Sequence, residues 1–305
     1  MSTPTYPPSR PRPFILDFDG TITTKDTIST IFQLAISRQA SLGRDFTKAH
    51  ESIISNYATD FSHHEKNYRP LKQDRNTLGK EINYYRGLRP VEIKSFDRVS
   101  ASGIFGGIGD EEWIGLGKKA VRDGDVVVRN GFRKFRERVE GSEAGVWGII
   151  SVNFSKGFVQ GVVEAGGGNV DGVEILTNTP DERGVLQGPK IERSDLNGQV
   201  VATSDDKLAA MKALLQLWGE NGSLGKCGLD GIAPVYVGDS GTDIECLTED
   251  GIIGIIIRDD GHGNVDWSGL EFSHVKEFRE TDGGGAKKIY WARDYLEILD
   301  SPLFK

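Results

Sequence analysis

Short apolar runs recur along this chain, each ending at a polar or acidic residue, with stretches of helical spacing between them. Phe14, Ile15 and Leu16 with Phe18 form the first run, bounded by Pro13 and Gly20, and read as a strand covered on both faces. Residues 146–150, 235–238 and 252–257 repeat the pattern. Residues 126–128 give a shorter extended piece, and 173–201 is strand-like with turn residues interspersed. Between these runs, Ile28, Ile31, Phe32, Ala35 and Ile36 predict a helix, with Thr23 or Thr24 as its cap and Asp26 in its first turn. Residues 131–140 predict a charged helix, and Phe158, Val159, Val162 and Val163 another that Gly166, Gly167 and Gly168 stop. Leu208, Met211, Leu214, Leu215 and Trp218 predict a helix capped by Asp205 or Asp206. A short helix over 245–247 and a closing amphipathic helix over 289–299 complete the series.

The rhythm is interrupted once. From 46 to 121 the spacing stays helical, with Ile53, Ile54 and Tyr57, then Leu78, Ile82 and Tyr85, then Val91, Ile93 and Phe96. Pro70, Pro90 and the glycines of 103–109 cut this stretch into several helices. Strands alternating with helices imply a parallel sheet with right-handed crossovers. The expected fold is therefore an α/β, Rossmann-like parallel sheet with helices on both faces and an inserted all-helical domain. The expected boundaries are a disordered proline-rich tail over 1–12, an α/β core over 13–24 and 129–305, and a helical cap domain over 25–128.

Composition narrows the partners. The 305 residues carry a net charge of -8, with no stripe of lysine and arginine of the kind duplex binding needs, so nucleic acid is excluded as a general partner. An acidic protein that handles a phosphorylated ligand must supply positive charge locally, from placed lysines or arginines or from a divalent metal. The span from His63 to Arg98 is basic against the trend of the chain, which reads as a solvated helix face or as a lid that attracts an anion. Cys227 and Cys246 are too few for a disulfide framework and suit a reducing, cytoplasmic home. No apolar run approaches the roughly 18 residues of a membrane span. The glycine clusters at Gly166 and Gly283 follow no strand in a dinucleotide-binding arrangement. His63 and His64, with no further ligand at metal spacing, read as surface residues.

Three strand ends carry chemistry. Asp17 and Asp19 end the first strand and, two residues apart, project to one face, so one can attack or ligate while the other handles a proton. Gly20 and Thr21 allow a tight turn with amides free for a phosphate. Ser151 ends the second long run, and Asp239 with Asp243 follows the third. In a parallel sheet these ends share one edge, where ligands bind.

Together, Asp17-Phe18-Asp19-Gly20-Thr21, Ser151 after Gly148-Ile149-Ile150, Lys207 at a helix start, and Gly238-Asp239-Ser240-Gly241-Thr242-Asp243 resemble the four motifs of the haloacid dehalogenase superfamily. The long helical insert between the first two is similar to that of the phosphoserine phosphatase branch. The resemblance implies a Mg²⁺-dependent phosphatase of a small soluble phosphomonoester. Asp17 would be its nucleophile and Asp19 its acid and base. Gly20, Thr21, Ser151 and Lys207 would bind phosphate. The metal ligands would be Asp17, the Asp19 carbonyl, Asp239 and Asp243, the last through water or through a hydrogen bond to another ligand. Asp26 and Asn153 are candidate substrate contacts, with a helix-start carboxylate as the other reading of Asp26; Tyr84, Tyr85, Arg86 and residues 105–108 are candidates too, though core packing and loop punctuation are the safer readings of these. Val152 and Asn153 stand where phosphoserine phosphatases usually have two glycines, which leaves the substrate open. A phosphomutase and a catalytically idle sensor of a phosphometabolite are the rival readings. The expected protein is a monomer or homodimer with no nucleic-acid or membrane partner.

Overall fold

A computed structural model describes residues 12–142, 145–191, 196–221, 232–258, 267, 270–279 and 288–304. Residues 1–11 of the tail expected over 1–12, Cys227 and the glycines at 283–285 lie outside the described residues.

The chain enters through β1 (Phe14–Leu16) and then makes α1 (Ile28–Ser41), α2 (Thr47–Asn67), α3 (Leu78–Gly87), α4 (Arg89–Ser102) and α5 (Asp110–Asp123) before the α/β alternation resumes. It continues with α6 (Phe132–Glu140), β2 (Trp147–Ile150), α7 (Lys156–Gly167), β3 (Glu174–Leu176), the small hairpin β4 (Thr179–Pro180) and β5 (Leu186–Gln187), and α8 (Ser204–Glu220). Then come β6 (Val235–Gly238), α9 (Ile244–Thr248), β7 (Ile253–Ile257), β8 (Glu271–His274), β9 (Lys288–Ala292) and α10 (Tyr295–Leu299). Seven strands form one sheet in the order β3-β2-β1-β6-β7-β9-β8, and every pairing in it is parallel. The α/β, Rossmann-like architecture is therefore as expected, with β1 central and β2 and β6 on its flanks.

Alternation along each strand divides the core in two. Phe14 and Leu16 of β1, Val235 and Val237 of β6, and Ile255 and Ile257 of β7 face one apolar layer with α6, α7 and α10. Ile15, Tyr236 and Ile256 face the other, with Met211, Leu214 and Trp218 of α8. Burial on both faces is why these strands read as unbroken apolar runs.

Several local expectations change. The predicted helix over 289–299 is a strand followed by a short helix, because Asp294 takes the N-cap position and accepts from the Glu297 amide, so the chain turns after Ala292. β9 then sits between β7 and β8, with Ile289, Tyr290 and Ala292 buried. The strand β8 was not predicted. Helix α1 begins at Ile28, behind Thr27, and Asp26 lies ahead of it. Thr23 instead bridges Val128, so the two linkers between insert and sheet run antiparallel. For α8 the N-cap residue is Thr203, while Asp206 in the first turn accepts from the Ala202 and Thr203 amides. His64 is not a plain surface residue. It packs on Tyr68 and Tyr84.

The helical stretch does not stand apart from the sheet. Helix α5 runs along α7, where glycines let the two backbones touch. A side-chain carbon at Gly117 would lie 2.4 Å from the Phe158 carbonyl, and one at Gly161 would lie 2.1 Å from the Ile114 carbonyl. Phe105 and Ile108 are buried here, as the core-packing reading of this loop had it, with Phe105 against Phe32, Trp113 and Phe154. Gly161→Ala should therefore push the helices apart and cost about 1–3 kcal/mol of unfolding free energy by urea titration. An unchanged midpoint would mean that the contact gives way freely.

Candidate active site

The carboxyl ends of β1, β2 and β6 meet at one edge of the sheet, and the turn after each delivers a polar side chain there. Asp17 is 3 % exposed. Its Oδ1 accepts from the Lys207 ammonium at 2.6 Å and its Oδ2 from the Thr21 hydroxyl at 3.2 Å. Lys207 is 1 % exposed and also donates to Asp243 Oδ1 at 2.7 Å, so one buried ammonium joins the end of β1 to the turn after β6. The lysine reaches this point because α8 starts beside the sheet edge and its first turn places Lys207 inward, next to buried Asp206.

Asp243 is fully enclosed. Its Oδ1 takes Lys207 and the Tyr236 hydroxyl at 2.7 Å, and its Oδ2 takes the Asp239 and Ser240 amides at 3.2 and 3.1 Å. The residue thus shapes the 239–243 turn and orients the lysine. Asp239 extends toward β1, so close to Gly20 that a side-chain carbon there would lie 2.1 Å from its Oδ2. Gly20 also has φ +72°, a conformation in which a side chain is strained. Carboxylate oxygens of Asp17, Asp239 and Asp243 lie within 4.8 Å of one another.

Asp19 is held differently. Its Oδ1 accepts from the Thr27 amide at 2.8 Å and the Thr27 hydroxyl at 2.6 Å, and its Oδ2 accepts from Asn153 Nδ2 at 2.9 Å. Asn153, expected to contact a ligand, is fully buried and turned to Asp19. Ser151 is buried at the end of β2, and its hydroxyl accepts from the Asn153 amide at 3.1 Å. Asp26 is exposed and accepts from the Ile28 amide at 2.8 Å, which is a helix-start contact, yet it lies near enough to Asp19 for its charge to be felt there. The amides of Gly20 and Thr21 were expected to be free for a phosphate. They are instead used within the turn, donating to the Thr23 hydroxyl at 3.2 Å and the Phe18 carbonyl at 3.3 Å.

Charge in this crevice is out of balance. Burial and then the charge of Asp243 raise the Asp17 carboxyl well above the usual range, against Lys207, which lowers it. Burial and Asp243 likewise push Asp239 up to about 7. Asp19 is raised to about 6 by burial and by Asp26, with the Thr27 and Asn153 hydrogen bonds opposing. For Lys207, burial disfavours the charge, and the two aspartates more than reverse this. A crowd of oxygen donors with so few cations suits a hard divalent ion such as Mg²⁺.

Several residues that shape this edge are not apparent from sequence. Arg129 is buried and donates to the Gly20 carbonyl at 2.7 Å and the Thr21 carbonyl at 3.1 Å, bracing the turn from behind. Tyr236 and Thr27 were also unforeseen, since a strand tyrosine and a threonine before a helix are ordinary in sequence. From the helical side, Tyr85 covers Gly241, where a side-chain carbon would lie 1.9 Å from its ring. Arg86 pairs with Glu245, at 2.9 Å from Nε to Oε1, and Arg89 donates to Asp206 at 2.6 Å. Tyr85 and Arg86, expected as contacts of the insert, thus meet the core turns. Tyr84 packs among Arg75, His64 and Tyr68.

Comparison with known proteins adds a likeness of fold. No family model matches the chain, and no curated protein does. Among solved structures, a phosphoserine phosphohydrolase-like protein from Francisella tularensis subsp. tularensis SCHU S4 is similar at 10 % identity, covering 95 % of this chain and 98 % of its own, with a TM-score of 0.46. A substrate-bound phosphoserine phosphatase complex is similar at 16 % identity, 95 % and 97 % coverage and a TM-score of 0.44. An apo phosphoserine phosphatase is similar at 15 %, 95 % and 98 %, with a TM-score of 0.42. The likeness is to phosphoserine phosphatases. At these identities and scores it assigns no reaction, which must come from the site itself. Among the described residues, no helix is long and apolar enough to cross a membrane.

Two outcomes are expected here. Lys207→Met leaves two buried carboxylates without their cation and should cost about 3–5 kcal/mol in urea unfolding, whereas Lys212→Met on the exposed face should change little. Asp17, Asp19 and Asp239 hold protons more tightly folded than unfolded, so these groups remove stability as pH rises from about 4 toward about 7. In metal-free protein, Asp239→Asn should flatten the fall of the thermal midpoint over that window. A slope as steep as the parent's would contradict this.

Proposed function

We propose that the chain is a Mg²⁺-dependent phosphatase of a small phosphomonoester, working through an aspartyl-phosphate on Asp17. The observation that carries this reading is the buried Lys207 ammonium held between Asp17 and Asp243, beside a second carboxylate, Asp19, that is held by separate donors. Two carboxylates on one strand end, in unlike surroundings, suit a nucleophile and an acid–base group. The four motifs and the likeness to the haloacid dehalogenase superfamily agree with it.

In this reading an Asp17 oxygen bonds to phosphorus as the ester P–O bond breaks, and the departing oxygen takes a proton from Asp19. Asp19 then takes a proton from water as the water oxygen attacks phosphorus, releasing phosphate and restoring Asp17. Lys207 and the Ser151 hydroxyl would hold phosphoryl oxygens as charge spreads over them. Gly20 would keep the Asp239 carboxylate close to Asp17 by having no side chain. Asp17, the Asp19 carbonyl and Asp239 would hold Mg²⁺, with Asp243 behind them, and the ion would offset the repulsion between carboxylate and phosphate.

Residues 25–128 would form the cap of this site. Support comes from Tyr85, Arg86 and Arg89, which bring the insert down onto the turn after β6 and the start of α8. A site covered in this way favours a small substrate over a macromolecule.

The test is phosphate release from para-nitrophenyl phosphate. Turnover should require Mg²⁺ and vanish in Asp17→Asn, and kcat should fall about 10²–10⁴-fold in Asp19→Asn, which loses the base that takes the proton from the water attacking the aspartyl-phosphate. Turnover that survives Asp17→Asn would refute the assignment.

A further inference from the structure

Asn153 lies two residues beyond Ser151, wholly enclosed. The loop that carries it is anchored without help from its side-chain NH₂. The Asn153 carbonyl accepts from the Thr177 hydroxyl at 2.9 Å and Asn178 Nδ2 at 3.0 Å, and its Oδ1 accepts from the Ser155 amide at 3.2 Å. Asn178 is itself fixed, donating to the Val201 carbonyl at 3.0 Å and accepting from the Val201 amide at 2.8 Å. With Oδ1 committed as an acceptor, Nδ2 must face the other way. Its hydrogens go to Asp19 Oδ2 at 2.9 Å and Thr27 Oγ1 at 3.1 Å.

Thr27 completes the arrangement. Its hydroxyl receives Asn153 and passes its own hydrogen to Asp19 Oδ1. It stands at the N-cap position of α1 but makes no side-chain cap bond, so the hydroxyl is spent on Asp19 rather than on the helix. Both Asp19 oxygens are thereby fixed, through a directed chain that runs from Asn153 to Thr27 to Asp19.

We propose that Asn153 and Thr27 are positioning residues that hold the Asp19 carboxylate in the orientation from which it protonates the leaving oxygen of a phosphomonoester. The proposal rests on Asp19 being the acid, as read above. A carboxylate at a strand end has two side-chain torsions to restrain, and proton transfer demands a defined distance and angle. The donors supply that restraint from two separate elements, the loop after β2 and the entry to α1. Because neither Asn153 hydrogen is free, the residue acts through Asp19 and does not contact the substrate.

The consequence depends on the leaving group. An alkoxide is a poor leaving group and needs the proton from Asp19 as the ester P–O bond breaks, with its electron pair going to oxygen. A nitrophenolate departs as the anion and does not. The value of kcat/KM reports this transfer step apart from the later hydrolysis of the aspartyl-phosphate.

The experiment compares kcat/KM for glycerol 2-phosphate and para-nitrophenyl phosphate in the Mg²⁺-loaded full chain, for the parent, Thr27→Val, Thr27→Ser and Asn153→Ala. The expected result is a fall of about tenfold or more for the alkyl ester and under about threefold for the aryl ester in Thr27→Val and Asn153→Ala, with Thr27→Ser close to the parent. The ratio of the two esters in one preparation does not depend on the fraction folded. A parent-like ratio in both variants overturns the proposal and leaves the phosphatase reading intact. A parent that hydrolyses neither ester overturns both.

Discussion

The buried ammonium of Lys207 is the contact on which the rest of this site depends. It brings together two carboxylates from neighbouring strands, Asp17 from the end of β1 and Asp243 from the turn after β6. Without a cation, burial and mutual repulsion would drive these acids to protonate or the turn to open. The same lysine fixes where α8 must start. Asp206, its neighbour in the chain, holds the Ala202 and Thr203 amides, and Arg89 of the helical stretch reaches down to that acid. One charge thus ties the strand, the turn and the helix to a common geometry, and Asp206 beside it joins the insert to the start of that helix.

Around that centre the acids are sorted by their surroundings. Asp243 has every oxygen occupied and serves to shape the turn. Asp239 is set against Gly20 with its proton held up to about 7, and Asp19 is restrained by donors that oppose the effect of burial. Four carboxylates of one chemical type therefore have unlike tasks, and the differences come from what each one touches. The Gly20–Thr21 turn shows the same logic in reverse. Its amides are spent inside the turn, and its carbonyls are braced by Arg129, so it offers a fixed wall rather than a set of free donors.

The helical insert is joined to the α/β layers by two unlike kinds of contact. Where α5 meets α7 the joint is apolar and backbone-close, through Gly117 and Gly161. Near the carboxylates the joint is made by exposed or half-exposed arginines on buried acids, Arg86 on Glu245 and Arg89 on Asp206, with the Tyr85 ring over Gly241. The first joint rests on close packing and the second on charge pairing at buried acids, so the insert is held at two places by different physics.

The order of strands and helices as far as β7, the long helical insert and the identity of the polar residues at the ends of β1, β2 and β6 were legible in the sequence. Those features are written locally: apolar runs mark doubly buried strands, and an aspartate at the end of one stays there in any parallel sheet. What failed was also local in origin. Residues 289–299 carry apolar positions that suit a helix, but pairing of β9 with both β7 and β8 rewards a strand, and only Asp294 hints at the break. The roles of Asn153, Thr27 and Arg129 depended on partners 134, 126 and 109 residues away. Asn153 looked like a ligand contact because nothing in its neighbours says that its hydrogens are already taken. Sequence fixes which groups are available at the sheet edge. The tertiary structure decides which of them are free, because hydrogen bonds and burial are settled only when distant segments meet.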